Sequence, residues 1–331
     1  MTILVTGGAG YIGSHMVHAL VDAGEPAVVL DNLSTGFRFL IPATVPFVAG
    51  STGDRDLVGQ TIRNHGVTAI IHFAASIVVP ESVADPLAYY RNNTMNTCSL
   101  LDVAKDAGVR QVIFSSTAAV YGNPQHVPVR EDATTAPISP YGSSKLMSEI
   151  MLHDAGKAYG LRFVVLRYFN VAGADPKQRT GQSTPAATHL IKVACEAALG
   201  KRPRLEVFGT DYPTPDGTCI RDYIHVSDLA RAHSAALAYL RRGGESATFN
   251  CGYGRGASVL EVIASVKRMS RRDFPVEIGA RRAGDPAALV ADVARIRSTL
   301  DWRPQFEDLD TIVAHALAWE QLLAKRKTAA A

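Results

Sequence analysis

Several protein classes leave marks that this sequence does not carry. Its four cysteines, Cys98, Cys195, Cys219 and Cys251, lie far apart and form no C-x-x-C pair. That argues against a disulfide framework and suits reduced thiols in a cytoplasmic protein. No apolar run reaches the roughly 18 residues needed to span a bilayer. Lys and Arg number 34 against 31 Asp and Glu, so the net charge is only +3, and the basic residues are scattered. A nucleic-acid binder concentrates such charge on one face. The start of the chain has no basic segment and no cleavage-like site, so no signal peptide is expected there. No internal repeat is visible. What is present is an ordinary globular composition, 47% apolar and 20% charged over 331 residues, enough for two domains or one large domain with an appended lobe.

The first thirty residues read as a dinucleotide cradle. Thr2 to Thr6 is a short apolar run suited to a buried parallel strand. Gly7-Gly8-Ala9-Gly10-Tyr11-Ile12-Gly13 follows at once, and Ile12, Met16, Leu20 and Ala23 then recur at helical spacing until Gly24. Ala27 to Leu30 is a second buried strand, closed by Asp31. Glycines in such a turn let backbone N–H groups approach a pyrophosphate at the positive end of a helix. Asp31, eighteen residues after Gly13, is placed to accept from a ribose 2′-OH and would repel a 2′-phosphate, which selects NAD over NADP. The spacing G-x-x-G-x-x-G differs from the commoner G-x-G-x-x-G. His15 and His18, three apart on the helix, allow either a metal or two packed rings; no other ligand is near in sequence, which favours packing and no metal.

A second constellation is Tyr141-Gly142-Ser143-Ser144-Lys145. Ser139 can cap a helix here and Pro140 suits its first turn. Tyr141 and Lys145, four apart, then share a helix face. A lysine ammonium one turn from a phenol favours the phenolate, so the Tyr141 pKa is expected to fall. Such a tyrosine can take a proton from a sugar hydroxyl near neutral pH.

Elsewhere, strands alternate with helices. Val45 to Ala49, Thr68 to Phe73, Gln111 to Ser115 and Arg162 to Arg167 read as strands; Leu57 to His65 and Asn92 to Gly108 read as helices. Asn32 and the loop after it suit the adenosine side of a cofactor, and Phe73-Ala74-Ala75 would let one pass close to the backbone at a strand end. Thr117 ends its strand with a hydroxyl that either faces the crevice or bonds its own backbone in a turn. After Tyr168 to Ala174 the alternation breaks, and 175–188 reads as a linker. Beyond it come a helix from His189 to Leu199, strands at Leu205 to Phe208, Ala247 to Cys251 and Pro275 to Ile278, and helices capped by Ser227, spanning Val259 to Met269, and starting near Leu309. Lys325 to Ala331 reads as a frayed tail. The pattern predicts an α/β fold: a doubly wound parallel (Rossmann) sheet with a smaller mixed α/β C-terminal lobe. Residues 1–175 plus about 219–251 would form the cofactor domain, and about 176–218 with 252–331 the substrate lobe.

Taken together, T-G-G-A-G-Y-I-G-S-H, L-D-N-L-S, H-F-A-A, F-S-S-T-A-A-V-Y-G, S-P-Y-G-S-S-K, L-R-Y-F-N-V-A-G-A, D-Y-P-T-P-D-G-T-C-I-R-D-Y-I-H-V-S-D-L-A and R-R-A-G-D resemble the extended short-chain dehydrogenase/reductase family, and within it the enzymes that invert C4 of UDP-hexoses. The resemblance runs from about Thr2 to Trp319. It implies that Tyr141 is the base, that Lys145 lowers its pKa and binds the nicotinamide ribose, and that Thr117 is the hydroxyl beside the reacting O4. The implied NAD set is Gly7, Gly10, Tyr11, Ile12, Gly13, Asp31, Asn32, Phe73, Ala74, Ala75, Asn92, Ser115, Tyr141, Lys145 and Tyr168. On the UDP-sugar side, Asn170, His189, Arg221 and Arg282 fall near the diphosphate, Asp285 at the uridine ribose, Phe208 beside the uracil and Leu289 in the sugar pocket. Guanidinium groups meet a diphosphate through several donors, and uracil can stack on an aromatic ring.

The sequence departs from its relatives at three cleft positions. Ser51 stands where many have an aspartate toward the adenine, Ile77 replaces a lysine, and Leu289 is intermediate between a bulky tyrosine and a small cysteine. The resemblance implies a homodimer through helices near 92–108 and 143–160. Dehydration chemistry, which needs a carboxylate pair beside the threonine, is disfavoured by Ala118 and Ala119; a non-catalytic NAD sensor is disfavoured by the Tyr141/Lys145 pair.

Overall fold

The structure is a computed structural model, and it describes residues 1–185, 187–282 and 284–329, with side chains through 326. In chain order it comprises β1 (Thr2–Thr6), α1 (Tyr11–Asp22), β2 (Ala27–Asp31), β3 (Phe47–Ala49), α2 (Arg55–His65), β4 (Val67–His72), α3 (Val79–Ala84), α4 (Pro86–Tyr89), α5 (Asn96–Asp106), β5 (Gln111–Thr117), α6 (Pro140–Tyr159), β6 (Arg162–Tyr168) and β7 (Asn170–Ala172). There follow α7 (Leu190–Ala198), β8 (Leu205–Phe208), β9 (Ile220–Arg221), β10 (Tyr223–His225), α8 (Val226–Arg241), β11 (Ala247–Cys251), β12 (Ala257–Ser258), α9 (Val259–Ser270), β13 (Val276–Gly279), β14 (Ala288–Leu289), α10 (Ala294–Leu300) and α11 (Leu309–Ala329).

Seven strands form one parallel sheet in the order β11-β6-β5-β4-β1-β2-β3. Alternate residues of each strand feed two separate cores. Ile3, Val5, Val29, Ile71, Ile113, Val164 and Leu166 pack on one face with Met16 of α1 and Leu229 and Leu237 of α8. Leu4, Val28, Leu30, Ile70, Val112, Phe114, Phe163 and Val165 pack on the other with Val58 of α2, Leu100 of α5 and Leu152 of α6. Both faces are buried, so these strands read as unbroken apolar runs. The strand order reverses between β1 and β4, and a crevice opens at their carboxyl ends, where open α/β sheets bind ligands.

The smaller pairings lie on that side. β7 pairs with β10, β9 with β12 and β14, and β8 with β13. Asp222, between β9 and β10, is fully buried and accepts from the backbone N–H groups of Tyr253 (2.8 Å), Gly254 (3.0 Å) and Ala291 (3.2 Å). Its own backbone bonds Leu289 and Asn170 on either side. One carboxylate thus holds three loops together at the edge of the crevice.

Four expectations need correcting. The helix expected over Asn92–Gly108 is divided: a wide π-turn spans Tyr90–Met95, and only α5 beyond it is regular. Asn93 explains the widening, because its amide donates to the Ser76 carbonyl (2.9 Å) and the Ser144 hydroxyl (3.0 Å) instead of pointing to solvent. The cap of α8 is His225, not Ser227: its Nδ1 accepts from the Ser227 N–H at 3.0 Å, so the helix starts two residues earlier. Residues 175–188 are more than a linker, since Asp175 pairs with Arg179 and bonds Thr180 through its backbone, while Gly181 lies under the Trp319 ring. The final helix continues through Ala329, where a tail from Lys325 was expected; Ala330, Ala331 and Ala283 of R-R-A-G-D lie outside the described residues.

Candidate active site

The crevice is a cavity of about 780 Å³. Its floor is the glycine turn. Gly7 has a positive φ of 69°, and a Cβ there would lie 2.6 Å from the backbone nitrogen of Ala74. A Cβ on Gly13 would lie 2.1 Å from the Gly7 carbonyl oxygen. The β1 turn, the start of α1 and the end of β4 therefore touch backbone to backbone, which no other residue type permits. Gly10 caps α1 without any side chain, so the helix N-terminus opens into the cavity, as an anion such as pyrophosphate requires.

Asp31 closes β2 beside this turn. Its carboxylate accepts from the backbone N–H of Ala9 (2.9 Å) and of Leu33 (2.8 Å). Burial lifts its pKa and the two N–H groups oppose that. Each oxygen keeps a lone pair for a ribose hydroxyl. Asn32, Phe73, Ala74, Ala75 and Asn92 line the same cavity, with Ile12 and Tyr11. Tyr11 donates from its hydroxyl to the Gly173 carbonyl at 2.6 Å. This half of the cleft fits a dinucleotide: a tight glycine turn, an uncapped helix start and an acid at the second strand end.

The reacting half is built by α6 and β5. Ser139 caps α6 by accepting from the Gly142 N–H at 3.2 Å, and Pro140 opens it, as the sequence suggests. Tyr141 and Thr117 line the cavity together, and the Thr117 hydroxyl favours the phenolate. Thr117 also accepts from the Ala119 N–H at 3.1 Å, so both sequence readings of its hydroxyl hold. Lys145 does not line the cavity. Its ammonium donates to the Ser115 carbonyl at 2.9 Å and lies 4.9 Å from the centroid of the Phe114 ring. Ser115 is likewise beneath the surface, bonded to His233 at 3.0 Å.

This geometry overturns the expected depression of the phenol pKa. Burial pushes Tyr141 up to about 12, opposed only by the Thr117 hydroxyl. Burial pulls Lys145 down to about 7, with the Glu149 carboxylate pulling the other way. Helical spacing shows the neighbouring ammonium but not the desolvation of both groups, which is larger.

The opposite wall carries Tyr168, Asn170, His189, Arg221, Asp285 and Leu289. Arg221 donates to the carbonyls of Ile220 (2.9 Å) and Pro286 (2.8 Å), and its second nitrogen lies 3.6 Å from Asp285. Phe208 and Arg282 are not on the cavity wall. They engage each other instead, with the Arg282 guanidinium 3.7 Å from the centre of the Phe208 ring. Ser51 and Ile77 do line the cleft. His15 bonds the Tyr11 carbonyl through Nδ1 at 2.7 Å and His18 the Leu40 carbonyl through Nε2 at 3.1 Å, and among the described residues no group of three or more metal-ligating side chains gathers.

Sequence reasoning missed Gln182 and Thr184, which line the cavity from the stretch read as linker. It also missed Ile138, just before the Ser139 cap. Nothing periodic marks such loop residues. It missed the buried pair of Glu149 and Arg167, for which a signal existed: a charge in the middle of the apolar strand Arg162–Tyr168.

A dinucleotide cradle joined to a tyrosine–lysine helix and a hydroxyl at the neighbouring strand end defines a nucleotide-dependent oxidoreductase-type α/β enzyme of the short-chain dehydrogenase/reductase class. The sequence profile of the NAD dependent epimerase/dehydratase family matches residues 3–252, and the chain belongs to that family. Known proteins place it more narrowly. A UDP-glucose 4-epimerase from Azospirillum brasilense is 63% identical over 321 residues, covering 97% of this chain and 92% of that protein. The crystal structure of UDP-glucose 4-epimerase from Brucella ovis in complex with NAD superposes with a TM-score of 0.93 at 48% identity, covering 96% of this chain and 97% of that one. The UDP-glucose 4-epimerase from Bifidobacterium longum in complex with NAD+ and UDP gives a TM-score of 0.92 at 36% identity, covering 97% and 98%.

Proposed function

We propose that this protein is an NAD-dependent epimerase that inverts C4 of a UDP-hexose, interconverting UDP-galactose and UDP-glucose. The observation that carries the reading is the single cleft in which Tyr141 and Thr117 stand between the glycine cradle and the wall of Asn170, His189, Arg221 and Asp285. NAD, when bound, supplies a hydride acceptor at C4 and a positive ring beside the phenol. Tyr141 takes the proton from O4 as the C4 hydride leaves, and gives it back to O4 once the 4-keto sugar has turned about its diphosphate link and the hydride has returned to the opposite face of C4. Thr117 holds O4 through its hydroxyl. Lys145 supplies positive charge beneath the phenol, from the Ser115 side.

The chemistry asks for a firm hold on UDP and a loose one on the hexose. Arg221 and Arg282 are assigned to the diphosphate, Asn170 and His189 to its flank, Asp285 to the uridine ribose and Phe208 to the uracil. Arg282 leaves the Phe208 ring when uracil takes that face, because one ring face cannot hold both. Leu289 sits by the sugar, among small and apolar neighbours that leave it room to turn. Residues 1–175 with about 219–251 are assigned to NAD, and about 176–218 with 252–331 to the UDP-sugar.

A homodimer is supported by apolar side chains that a monomer leaves in water. Leu87 of α4, Met95 of the π-turn and Ile150 of α6 are each more than half exposed, and Met147 lies beside Ile150 on the same helix. Such a cluster marks an interaction face. Among the described residues no helix is long and apolar enough to cross a membrane, and the separated free thiols suit a cytoplasmic enzyme.

The test is incubation of the purified protein with UDP-galactose, UDP-glucose and their N-acetylated counterparts, followed by NMR of the anomeric protons. Interconversion of the first pair is expected. An unchanged spectrum with every UDP-sugar, despite bound NAD, would leave the non-catalytic reading in its place.

A further inference from the structure

Beneath the site, on the side away from the cleft, lies a buried polar cluster that none of the chemistry above uses. Its centre is Glu149, four residues beyond Lys145 on α6 and only 2% exposed. The Glu149 carboxylate receives three separate ties. The Ser116 hydroxyl donates to it from β5. The Arg167 guanidinium donates from β6 through Nε (3.1 Å to both oxygens) and Nη2 (2.6 Å). Arg167 in turn donates to the Tyr121 hydroxyl at 3.0 Å, and Tyr121 donates to the Asn250 side chain on β11 at 2.6 Å.

The two strands tied this way each present a reacting or binding residue at the next position, and the helix carries two. Ser116 precedes Thr117, Arg167 precedes Tyr168, and Glu149 shares its helix with Lys145 and Tyr141. Lys145 grips β5 at the carbonyl of Ser115 while Glu149 grips the next residue. The helix is thus fixed against the strand at two successive positions.

We propose that Glu149 is a positioning residue for proton transfer: through Ser116 and Arg167 it holds the Tyr141–Lys145 helix in register with the Thr117 strand, and it supplies the counter-charge that keeps the Lys145 ammonium beneath the phenol. The inference rests on the epimerase reading above. A buried ion pair is weak evidence for stability, because replacing both partners by apolar groups is often neutral. It holds geometry well, because its bonds are directional. Burial pulls Lys145 down to about 7 and Glu149 opposes this. The other titratable groups facing the cluster are His72 from β4, which feels Lys145, His153 on α6, Tyr168 and Arg167 from β6, Tyr121 with Glu131 beside it, and Tyr141 itself.

The test compares the NAD-loaded wild type with Glu149→Gln, Glu149→Asp and Ser116→Ala, using UDP-galactose as probe and thermal melting to confirm folding. Glu149→Gln keeps the shape and one acceptor for Ser116 but loses the charge. It is expected to lower kcat by about tenfold or more with KM within about threefold, and to shift the alkaline limb of the pH–kcat profile to lower pH, because Lys145 discharges earlier. Glu149→Asp, which keeps the charge, restores the limb. Ser116→Ala keeps every charge and is expected to lower kcat by about threefold or more without moving the limb. If Glu149→Gln does not fold, Ser116→Ala and Glu149→Asp decide. Wild-type kcat in Ser116→Ala, or a Glu149→Gln loss that only tracks the folded fraction with an unmoved limb, overturns the proposal. A wild type that converts no UDP-sugar sinks the epimerase reading instead, before any variant is compared.

Discussion

The Lys145 ammonium donates to the carbonyl oxygen of Ser115 at 2.9 Å, so the lysine is anchored to the strand that ends in Thr117 and not to the phenol one turn away. Tyr141 and Thr117 are left facing the cleft together. The lysine is thus fixed to the strand, and the cleft side of the phenol stays open.

The first consequence concerns Tyr141 itself. Replacing it by Phe removes the proton carrier but leaves the ring, the cap at Ser139 and the cleft wall. Turnover of UDP-galactose is expected to fall by about a thousandfold or more, with UDP affinity by calorimetry within about threefold. Near-normal turnover would mean that another group carries the proton.

A second consequence separates the protein alone from the loaded enzyme. Burial holds the Tyr141 pKa at about 12 without NAD. The difference in phenolate absorbance between wild type and Tyr141→Phe should be flat at neutral pH, where a phenol with so high a pKa stays protonated. Adding NAD places positive charge in the cleft and should bring the difference signal to lower pH. A phenolate signal at neutral pH in the NAD-free protein would contradict the dominance of desolvation.

These two cases show what the sequence could carry. Thr2–Asp31 was legible because strand, glycine turn, helix and acid each follow a local rule, and the structure keeps all four. Ser139 and Pro140 likewise announced α6. The phenol pKa was not legible, since it depends on how much of Tyr141 and Lys145 is buried by distant elements. Gln182 and Thr184 were hidden because a loop's position is set by tertiary packing, here by Gly181 under Trp319. Arg282 was placed near the diphosphate by its motif, yet its side chain lies on Phe208. A motif fixes where the backbone goes, and a long arginine can still choose among partners.

The cradle gives a third prediction. A Cβ on Gly13 would meet the Gly7 carbonyl oxygen at 2.1 Å, a backbone atom that cannot step aside. Gly13→Ala should open the turn and weaken NAD binding by about tenfold or more, since the amides that approach the pyrophosphate move with it. Gly24→Ala is the control. Its φ is also positive, at 69°, but a Cβ there meets nothing within 4 Å, so the cost is about 1 kcal/mol of backbone strain and NAD binding is unchanged. Equal NAD affinity in the two variants, read by fluorescence titration, would show that the turn is not a tight cradle.

Acid sensitivity follows from histidines held neutral inside the fold, with His15, His72, His225 and His233 the most strongly shifted. His72 lies between two hydroxyls, with Nδ1 2.6 Å from Thr6 and Nε2 2.9 Å from Thr97. Thr97 already gives its proton to the Asn93 carbonyl, so His72 donates through Nε2 and accepts at Nδ1, which is the neutral tautomer. His233 donates to the Leu229 carbonyl at 2.9 Å and faces Ser115 at 3.0 Å. Burial pulls His15 to about 4, His72 to about 3, His225 to about 2 and His233 to about 4. In the unfolded chain each titrates near its ordinary value of about 6.5. The folded values lie below the unfolded ones, so the unfolded state takes up protons first as pH falls. The stability is intact above about 6.5 and is lost below it, by about 1.4 kcal/mol per pH unit for each histidine, until the folded groups titrate in turn. Asp222 works the other way: burial lifts it to about 6, so its neutral form favours the fold and gains weight between its folded value and the ordinary carboxyl range. Four such histidines against Asp222 leave a net loss. The unfolding midpoint in urea should drop steadily between about pH 6.5 and 4.5, and more gently in His72→Gln, which keeps a donor and an acceptor but cannot be protonated. A midpoint that stays level across that interval in the wild type would show that these rings are not kept neutral by the fold.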